Sequence, residues 1–428
     1  MSVFRKPLIG FVFLSLLAAV LVAGCGDDNG GGGGSGVENA KTIEANAGEN
    51  ASGNVTWCIG KDTSGSFKQI VDRHNRESEV NVRLLELPEA ADQQRTQQVQ
   101  RLRAESDECD VLGIDVIWTA EYAAQGWLYD VSNVIEDRQG DFIQSTVDTA
   151  EFEGKHFAVP FNTNAGFLYY RTDQEQQAPK TWEDVYQQAE QTDGLVYQGS
   201  RYEGLTVDFL ELLYSAGGKA VSDDGSQSEI NSDEAKKVLQ FMVDGIKDGA
   251  VPEATLTYKE QESLRAFQAG NSTFMRNWPY AYALLKDSDL ADKFDIATFP
   301  SFGGGEGAGV LGGYNLGISA YSQNAEGALE FINFATSPEA QKLMMTKSTL
   351  PAVLTETYSD PEVKKTAPFA QDLLKAVQQA QPRPVSPVYP QISEAIYKNV
   401  YEALSGDRSP DEALNRADQE IQRALETF

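Results

Sequence analysis

The sequence predicts an α/β fold with mainly parallel sheets from residue 55 onward, and three observations carry that prediction. Short apolar runs alternate with amphipathic helical patterns through the chain, the order that builds sheets flanked by helices. The chain has 428 residues, 41% of them hydrophobic and 23% charged. That is enough to bury sizeable cores and fill roughly two or three domains at about 150 residues each. No internal repeat is present, and beyond the glycine-rich stretch near the N-terminus no low-complexity segment breaks the alternation.

Taken in order, the first element is not part of the fold. Arg5 and Lys6 precede an apolar run from Leu8 to Val22, broken only by Gly10 and Ser15, which ends in Val22-Ala23-Gly24-Cys25. A positive start, an apolar stretch and small residues at the end are the parts of a secretory signal, and the run is short for a membrane span. Its ending resembles the bacterial lipobox. Residues 1–24 are therefore expected to be a lipoprotein signal peptide and Cys25 the lipidated residue. Residues 25–54, with glycine from Gly30 to Gly34, are expected to be a flexible tether reaching roughly 30 Å.

Val55-Thr56-Trp57-Cys58-Ile59 reads as the first strand. Thr63 or Ser64 can then cap a helix with Phe67, Ile70 and Val71 on one face. Residues 81–87 read as a strand, 93–103 as a polar helix and 110–115 as a buried third strand. Further on, Thr181 with Asp184 has the spacing of a capping box, and Ser337-Pro338-Glu339 puts an N-cap before a first-turn proline. Leu414, Ala417, Ile421, Ala424 and Leu425 mark the packed face of the last helix. Trp57, Trp127 and Trp182 are assigned to packing, and His74, on the polar side of its helix, and His156 receive no role. Once Cys25 is set apart, Cys58 and Cys109 remain as an even pair beside predicted strands. A disulfide and two buried free cysteines both stay open.

Composition excludes several functions. With 35 Lys and Arg against 64 Asp and Glu, the formal net charge is −29, so there is no basic footprint for nucleic acid, and the acidity favours solubility. Two histidines set far apart and three cysteines give no raw material for a metal site, and no cofactor is expected. Neither a G-x-S-x-G elbow nor a Walker A loop occurs. Gly307-Ala308-Gly309-Val310-Leu311-Gly312 matches G-x-G-x-x-G but precedes a strand-like segment instead of following one. An acidic pair for glycoside hydrolysis can be drawn from Asp115, Glu203 and Asp208. Nothing in the sequence sets two of them across one bond, so a binding protein ranks ahead of an enzyme.

In an open α/β sheet ligands sit beyond the carboxyl ends of the strands, which singles out residues 61–64 and 115–118 as pocket loops. Arg276-Asn277-Trp278-Pro279-Tyr280 and Pro382-Arg383-Pro384 add aromatic faces and a cation on proline-restricted backbone. Such groups suit a sugar, whose C–H faces pack on rings while its hydroxyls both donate and accept.

These segments, with Gly126-Trp127-Leu128, Ala158-Val159-Pro160-Phe161, Asn164-Ala165-Gly166-Phe167, Tyr202-Glu203-Gly204-Leu205 and Leu311-Gly312-Gly313-Tyr314, strongly resemble the extracellular solute-binding proteins (family 1) of ABC sugar importers. The resemblance covers essentially the whole folded region and is closest to the trehalose/maltose-binding branch. It implies a two-lobed periplasmic-binding-protein fold, maltose-binding-protein-like, with a cleft between lobes joined by hinge strands. Lobe 1 would hold residues 55–163 plus 311–352, and lobe 2 residues 164–310 plus 353–428. By the same resemblance Asp115, Asn164, Glu203, Trp278, Tyr280, Gly313, Tyr314 and Arg383 would line the sugar site. Asp62, Ser64, Trp118 and Asn162 are further candidates. Tyr314 stands where trehalose and maltose binders often carry Trp, and Asn162 where an aromatic is common, so the exact disaccharide is left open.

The function so implied is capture of an α-glucoside disaccharide, trehalose before maltose, by lobe closure and delivery to a permease with a separate ATPase. The protein is expected to be a monomer, extracytoplasmic and held to the bacterial cell membrane through its lipid alone. Another oligosaccharide ligand or a tethered sugar sensor are the alternatives, with an exported glycosidase behind them.

Overall fold

The computed structural model describes residues 37–175, 177–223, 225–304 and 307–427. The expected signal peptide and the Cys25 anchor lie outside the described residues. In chain order the strands are β1 (Gly53–Gly60), β2 (Val80–Leu87), β3 (Val111–Asp115), β4 (Glu151–Phe152), β5 (Lys155–His156), β6 (Val159–Asn164), β7 (Phe167–Arg171), β8 (Leu195–Val196), β9 (Phe274–Asn277), β10 (Phe294–Ala297) and β11 (Gly312–Ile318).

Two main sheets result, each the centre of one lobe. The first has the order β2-β1-β3-β11-β6 and the second β10-β7-β9-β8, while β4 and β5 pair alone. The sheets are mixed, which corrects the expectation of mainly parallel pairing. β1 is parallel to β2 and β3, and β8 to β9, but β11 runs antiparallel to both β3 and β6, and β7 to both β9 and β10. The cause is the path of the chain. It leaves the first sheet through β6, enters the second through β7 only three residues later, and returns through β11, which lies antiparallel beside the strand it left by.

Apolar residues fill both layers as the alternation requires. Trp57, Phe67, Phe161 and Phe331 meet beside the first sheet. Trp182, Phe209, Phe274 and Phe299 belong to the core beside the second. Helix starts follow their caps. Thr181 accepts from the Asp184 N–H at 2.9 Å, and Ser337 from the Ala340 N–H at 3.3 Å ahead of Pro338. At the helix Ser66–Glu77 Thr63 is not the cap, and Ser64, one residue further back than a cap, accepts through Oγ from the Ser66 N–H at 3.2 Å. The Asp62 carboxylate, reaching over the turn, accepts from the Phe67 N–H at 2.9 Å.

Two further expectations change, and one question left open is closed. Residues 37–52, read as the end of a flexible tether, are packed on the first lobe. Val37 and Ile43 are buried, Ile43 N–H donates to Asp130 O, Asp130 N–H to Lys41 O, and Lys41 Nζ to Ala320 O. Scarce but well-placed apolar residues and backbone pairing hold this strap, which composition alone could not show. His74 is fully buried between Phe331 and Phe334, with Nε2 2.6 Å from Glu330 Oε2, so one carboxylate lets a polar residue turn inward. Finally, Cys58 and Cys109 form a disulfide between β1 and the residues leading into β3.

Candidate functional site

Where the two sheets approach each other, a cavity of about 180 Å³ opens. That is well above the roughly 10–15 Å³ needed to hold one water, so it has room for several ordered waters or for a polar ligand in their place. Of the twelve sequence-predicted ligand residues, Asp62, Ser64, Asp115, Asn162, Asn164, Glu203, Trp278, Tyr280, Gly313, Tyr314 and Arg383 all line it. Trp118 does not. It is 2% exposed, with its ring stacked 6.3 Å from that of Tyr122 in the core beyond β3. The short helical turn Val116–Trp118 after β3 rotates its side chain away from the strand end, so the pocket loop contributes Asp115 and nothing from Trp118.

The first sheet supplies one wall. Asp115 ends β3 and lies in register with Tyr314 on β11. Asn162 and Asn164 lie on β6, beside the return strand. Asn162 Oδ1 accepts from the Tyr314 N–H at 3.1 Å, leaving its buried Nδ2 without a partner, while Asn164 has a buried Oδ1 without one. A donor and an acceptor are thus both unspent at the cavity wall, and each is costly until a ligand or water meets it. Gly313 adopts φ +122°, and a Cβ there would fall 2.2 Å from Asn162 O, so only glycine lets β11 pass this close. Tyr314 Oη donates to Gln94 Oε1 at 2.9 Å, and burial pushes its pKa up, so it stays a neutral hydroxyl.

Asp62 lines the cavity but is already spoken for. Its two oxygens receive Ser64 N–H and Ser64 Oγ, Ser66 Oγ and Phe67 N–H, which fills the roughly four acceptor positions of a carboxylate. Its work is to shape the loop.

The second sheet supplies the other wall. Glu203 begins the helix Glu203–Ser215 and is buried. Tyr389 Oη donates to its Oε1 at 2.6 Å, Arg383 Nη1 donates to the same oxygen at 2.8 Å, and Ser393 Oγ donates to Oε2. Burial nevertheless outweighs the pull of Arg383, Ser393 and Tyr389, and its pKa is pushed up to about 7. Arg383 is 5% exposed and also donates through Nη2 to Asp115 Oδ1 at 2.9 Å. Although burial opposes its charge, Asp115, Tyr389 and Glu203 hold its proton more firmly than usual. One planar cation therefore ties the end of β3 to a helix of the other lobe.

Trp278 and Tyr280 follow β9. Tyr169 Oη donates to Trp278 O at 2.8 Å, and Gln261 Nε2 to Tyr280 Oη at 3.3 Å, so the aromatic pair is held from two directions. Among the polar and aromatic residues that also line the cavity, sequence reasoning missed Glu89, Tyr202, Glu260 and Gln261. Glu89, Glu260 and Gln261 come from segments without a recognisable motif, whereas Tyr202 stands in the Tyr202-Glu203-Gly204-Leu205 stretch beside the residue that was picked out. Burial pushes the Glu260 carboxyl up from its ordinary range.

Among the described residues no cluster of three or more His, Cys, Asp or Glu side chains could hold a metal ion, and no helix is long and apolar enough to cross a membrane. What the site offers is aromatic surface, unspent amides and a clamped guanidinium reached from both lobes, a set for holding a neutral polyhydroxylated molecule.

Known proteins share this fold. The family model for bacterial extracellular solute-binding proteins matches residues 60–342. A probable ABC transporter-binding protein of Deinococcus radiodurans is 32% identical over 378 residues, 83% of this chain and 89% of the relative. A mannitol-binding protein of Pseudomonas aeruginosa is 27% identical over 351 residues, 74% and 80% of the two chains. Among solved structures, maltose-bound MalE3 of T. maritima matches with a TM-score of 0.83 at 33% identity, covering 86% of this chain and 99% of its own.

Proposed function

Because the chain belongs to the family of bacterial extracellular solute-binding proteins, a family of binders and not of enzymes, we propose that it captures an α-linked glucose disaccharide for an ABC importer, trehalose before maltose. The observation that carries this reading is Arg383 bonded at once to Asp115 and Glu203, in a cavity walled by Trp278, Tyr280 and the unspent amides of Asn162 and Asn164. Rings take the C–H faces of the sugar, and the amides and guanidinium take its hydroxyls. The match to a maltose-bound structure at 33% identity supports the α-glucoside class.

The lobes in this reading are residues 55–163 with 311–352, and 164–310 with 353–428. Contacts from both stabilise the closed state, and the permease, a separate chain with its own ATPase, recognises that state. Lipidation at Cys25 anchors the monomer to the outer face of the cell membrane. A linear polyol is the second reading, favoured by the relative named for mannitol.

Calorimetric titration of the purified protein against trehalose, maltose, sucrose, glucose and mannitol tests both. A Kd of about 1 μM or tighter, near −8 kcal/mol, for one α-glucoside with weak glucose binding is the expected result. Binding of mannitol alone would move the assignment to the polyol, and silence from all five with the protein folded would remove it.

A further inference from the structure

Behind the aromatic wall lies a second guanidinium that does not touch the cavity. Arg276 is 3% exposed, absent from the lining, and its Cζ lies over the Trp278 ring at 4.0 Å from the centroid. Trp278 thus presents its indole to the cavity with a planar cation stacked behind it. That cation is itself fixed. Nε donates to Glu211 Oε2 at 2.7 Å, Nη2 to Glu211 Oε1, and Nη1 to Gln198 Oε1 at 2.7 Å, while Asp208 Oδ1 sits 3.0 Å from Nε. Gln198 Nε2 returns a bond to Arg276 O at 3.1 Å, so backbone and side chain of β9 are both pinned.

We propose that Arg276 is the positioning residue for the Trp278 platform, acting on ligand affinity only through that ring; the inference rests on the sugar-binding reading above. The guanidinium supplies a flat, rigid backing that a flexible ammonium cannot reproduce, because Lys offers neither the fork that grips Glu211 nor a plane to stack. Gly166 belongs to the same device. A Cβ there would lie 2.8 Å from Arg276 Nη2 and 2.7 Å from Glu211 Oε1, so the absent side chain is what leaves the pair its place. Fixing the indole before the ligand arrives removes a rotamer that would otherwise have to be frozen on binding.

The test is a double-mutant cycle read by calorimetry with trehalose and maltose on the full chain: wild type, Arg276→Lys, Trp278→Ala and the pair. Arg276→Lys is expected to raise Kd about three- to tenfold in the wild-type background and to change nothing further once Trp278 is alanine. Equal losses in both backgrounds would mark Arg276 as a structural residue and overturn the inference, as would unchanged affinity. Gly166→Ala is the second probe, since its methyl crowds the guanidinium, along with Glu211 and Phe299 Cζ at 2.8 Å, with every charge kept. It should show the same dependence on Trp278, and if neither variant folds, Arg276 serves the fold and the inference is overturned. Wild-type titration separates the two claims. If it binds neither sugar, the functional reading fails and takes this inference with it; if it binds and the cycle is additive, only the inference fails.

Discussion

Arg383 donates to Asp115 Oδ1 at 2.9 Å, joining the end of a strand in one lobe to a cation whose other nitrogen is bonded to Glu203 of the opposite wall. Neither carboxylate would choose this site alone. Asp115 and Glu203 are brought together by Arg383, and the ordered backbone of Pro382 and Pro384 keeps that cation where both can use it.

Arg383→Ala therefore has two expected effects. Ligand affinity falls at least tenfold, read by calorimetry. Stability falls by about 3–5 kcal/mol, because Glu203 is left as a buried charge without its cation. Denaturant titration at pH 8 and at pH 5 checks the cause, since the loss should be smaller at the lower pH, where Glu203 takes up a proton.

Glu203 also sets a pH dependence in the unsubstituted protein. Its pKa is about 7 in the folded chain, above the ordinary value of 4.5. Between those values the folded state binds more protons than the unfolded state, so stability is greatest below the window and declines as pH rises through it. Glu203→Gln should flatten the fall in thermal midpoint from pH 5 to pH 8. Only part of the slope should go, because burial, reinforced by Glu211 and opposed by Arg276, lifts Asp208 to about 8 and it acts in the same direction.

Gly313→Ala is expected to destabilise the fold by about 1–3 kcal/mol, since φ +122° is strained for any L side chain. The new methyl also meets Asn162 O, so affinity should fall along with stability. Thermal melts and titration of the same sample read both.

Trp278→Ala and Trp118→Ala should separate. The first is expected to weaken binding about tenfold or more, with a modest fall in thermal midpoint from the lost packing on Arg276. The second opens a cavity in the core, costs about 3–5 kcal/mol and leaves the affinity of the remaining folded protein nearly unchanged.

Reduction, or Cys58→Ser with Cys109→Ser, should cost about 3–4 kcal/mol. The bridge closes a loop spanning a sequence separation of 51, a length at which loop entropy in the unfolded chain is substantial. Chemical denaturation with and without reductant measures it.

Much of the site was legible because its residues sit in segments with a backbone signature. Pro279 after Trp278 and the prolines flanking Arg383 mark rigid presentation, and the ends of β1 and β3 follow from strand patterning. Trp118 misled because a residue three past a strand end can turn either way, and the turn Val116–Trp118 sends it into the core. Arg276 stood inside a recognised motif, yet its backing of Trp278 depends on Glu211 and Asp208, helix residues far off in sequence. His74 likewise looked solvated until Glu330 came to meet it. Such pairings between distant segments leave no local pattern to read. The strap at residues 37–52 hid for a different reason: its few large apolar residues lie in alanine-, asparagine- and glutamate-rich sequence whose composition matches a coil.

That strap decides where mechanical force would travel. Ile43, Lys41 and Val37 are fastened to Asp130, Ala320 and Lys155, all in the first lobe, and Ser52 is fastened to Asn324 of the same lobe. A pull on the N-terminus is therefore taken up by the flank of that lobe and never crosses the strands that lead to the other. Under the lipid anchoring proposed above, the first lobe would be the moored post and the second the free jaw, and a pull along the membrane would not prise the molecule open.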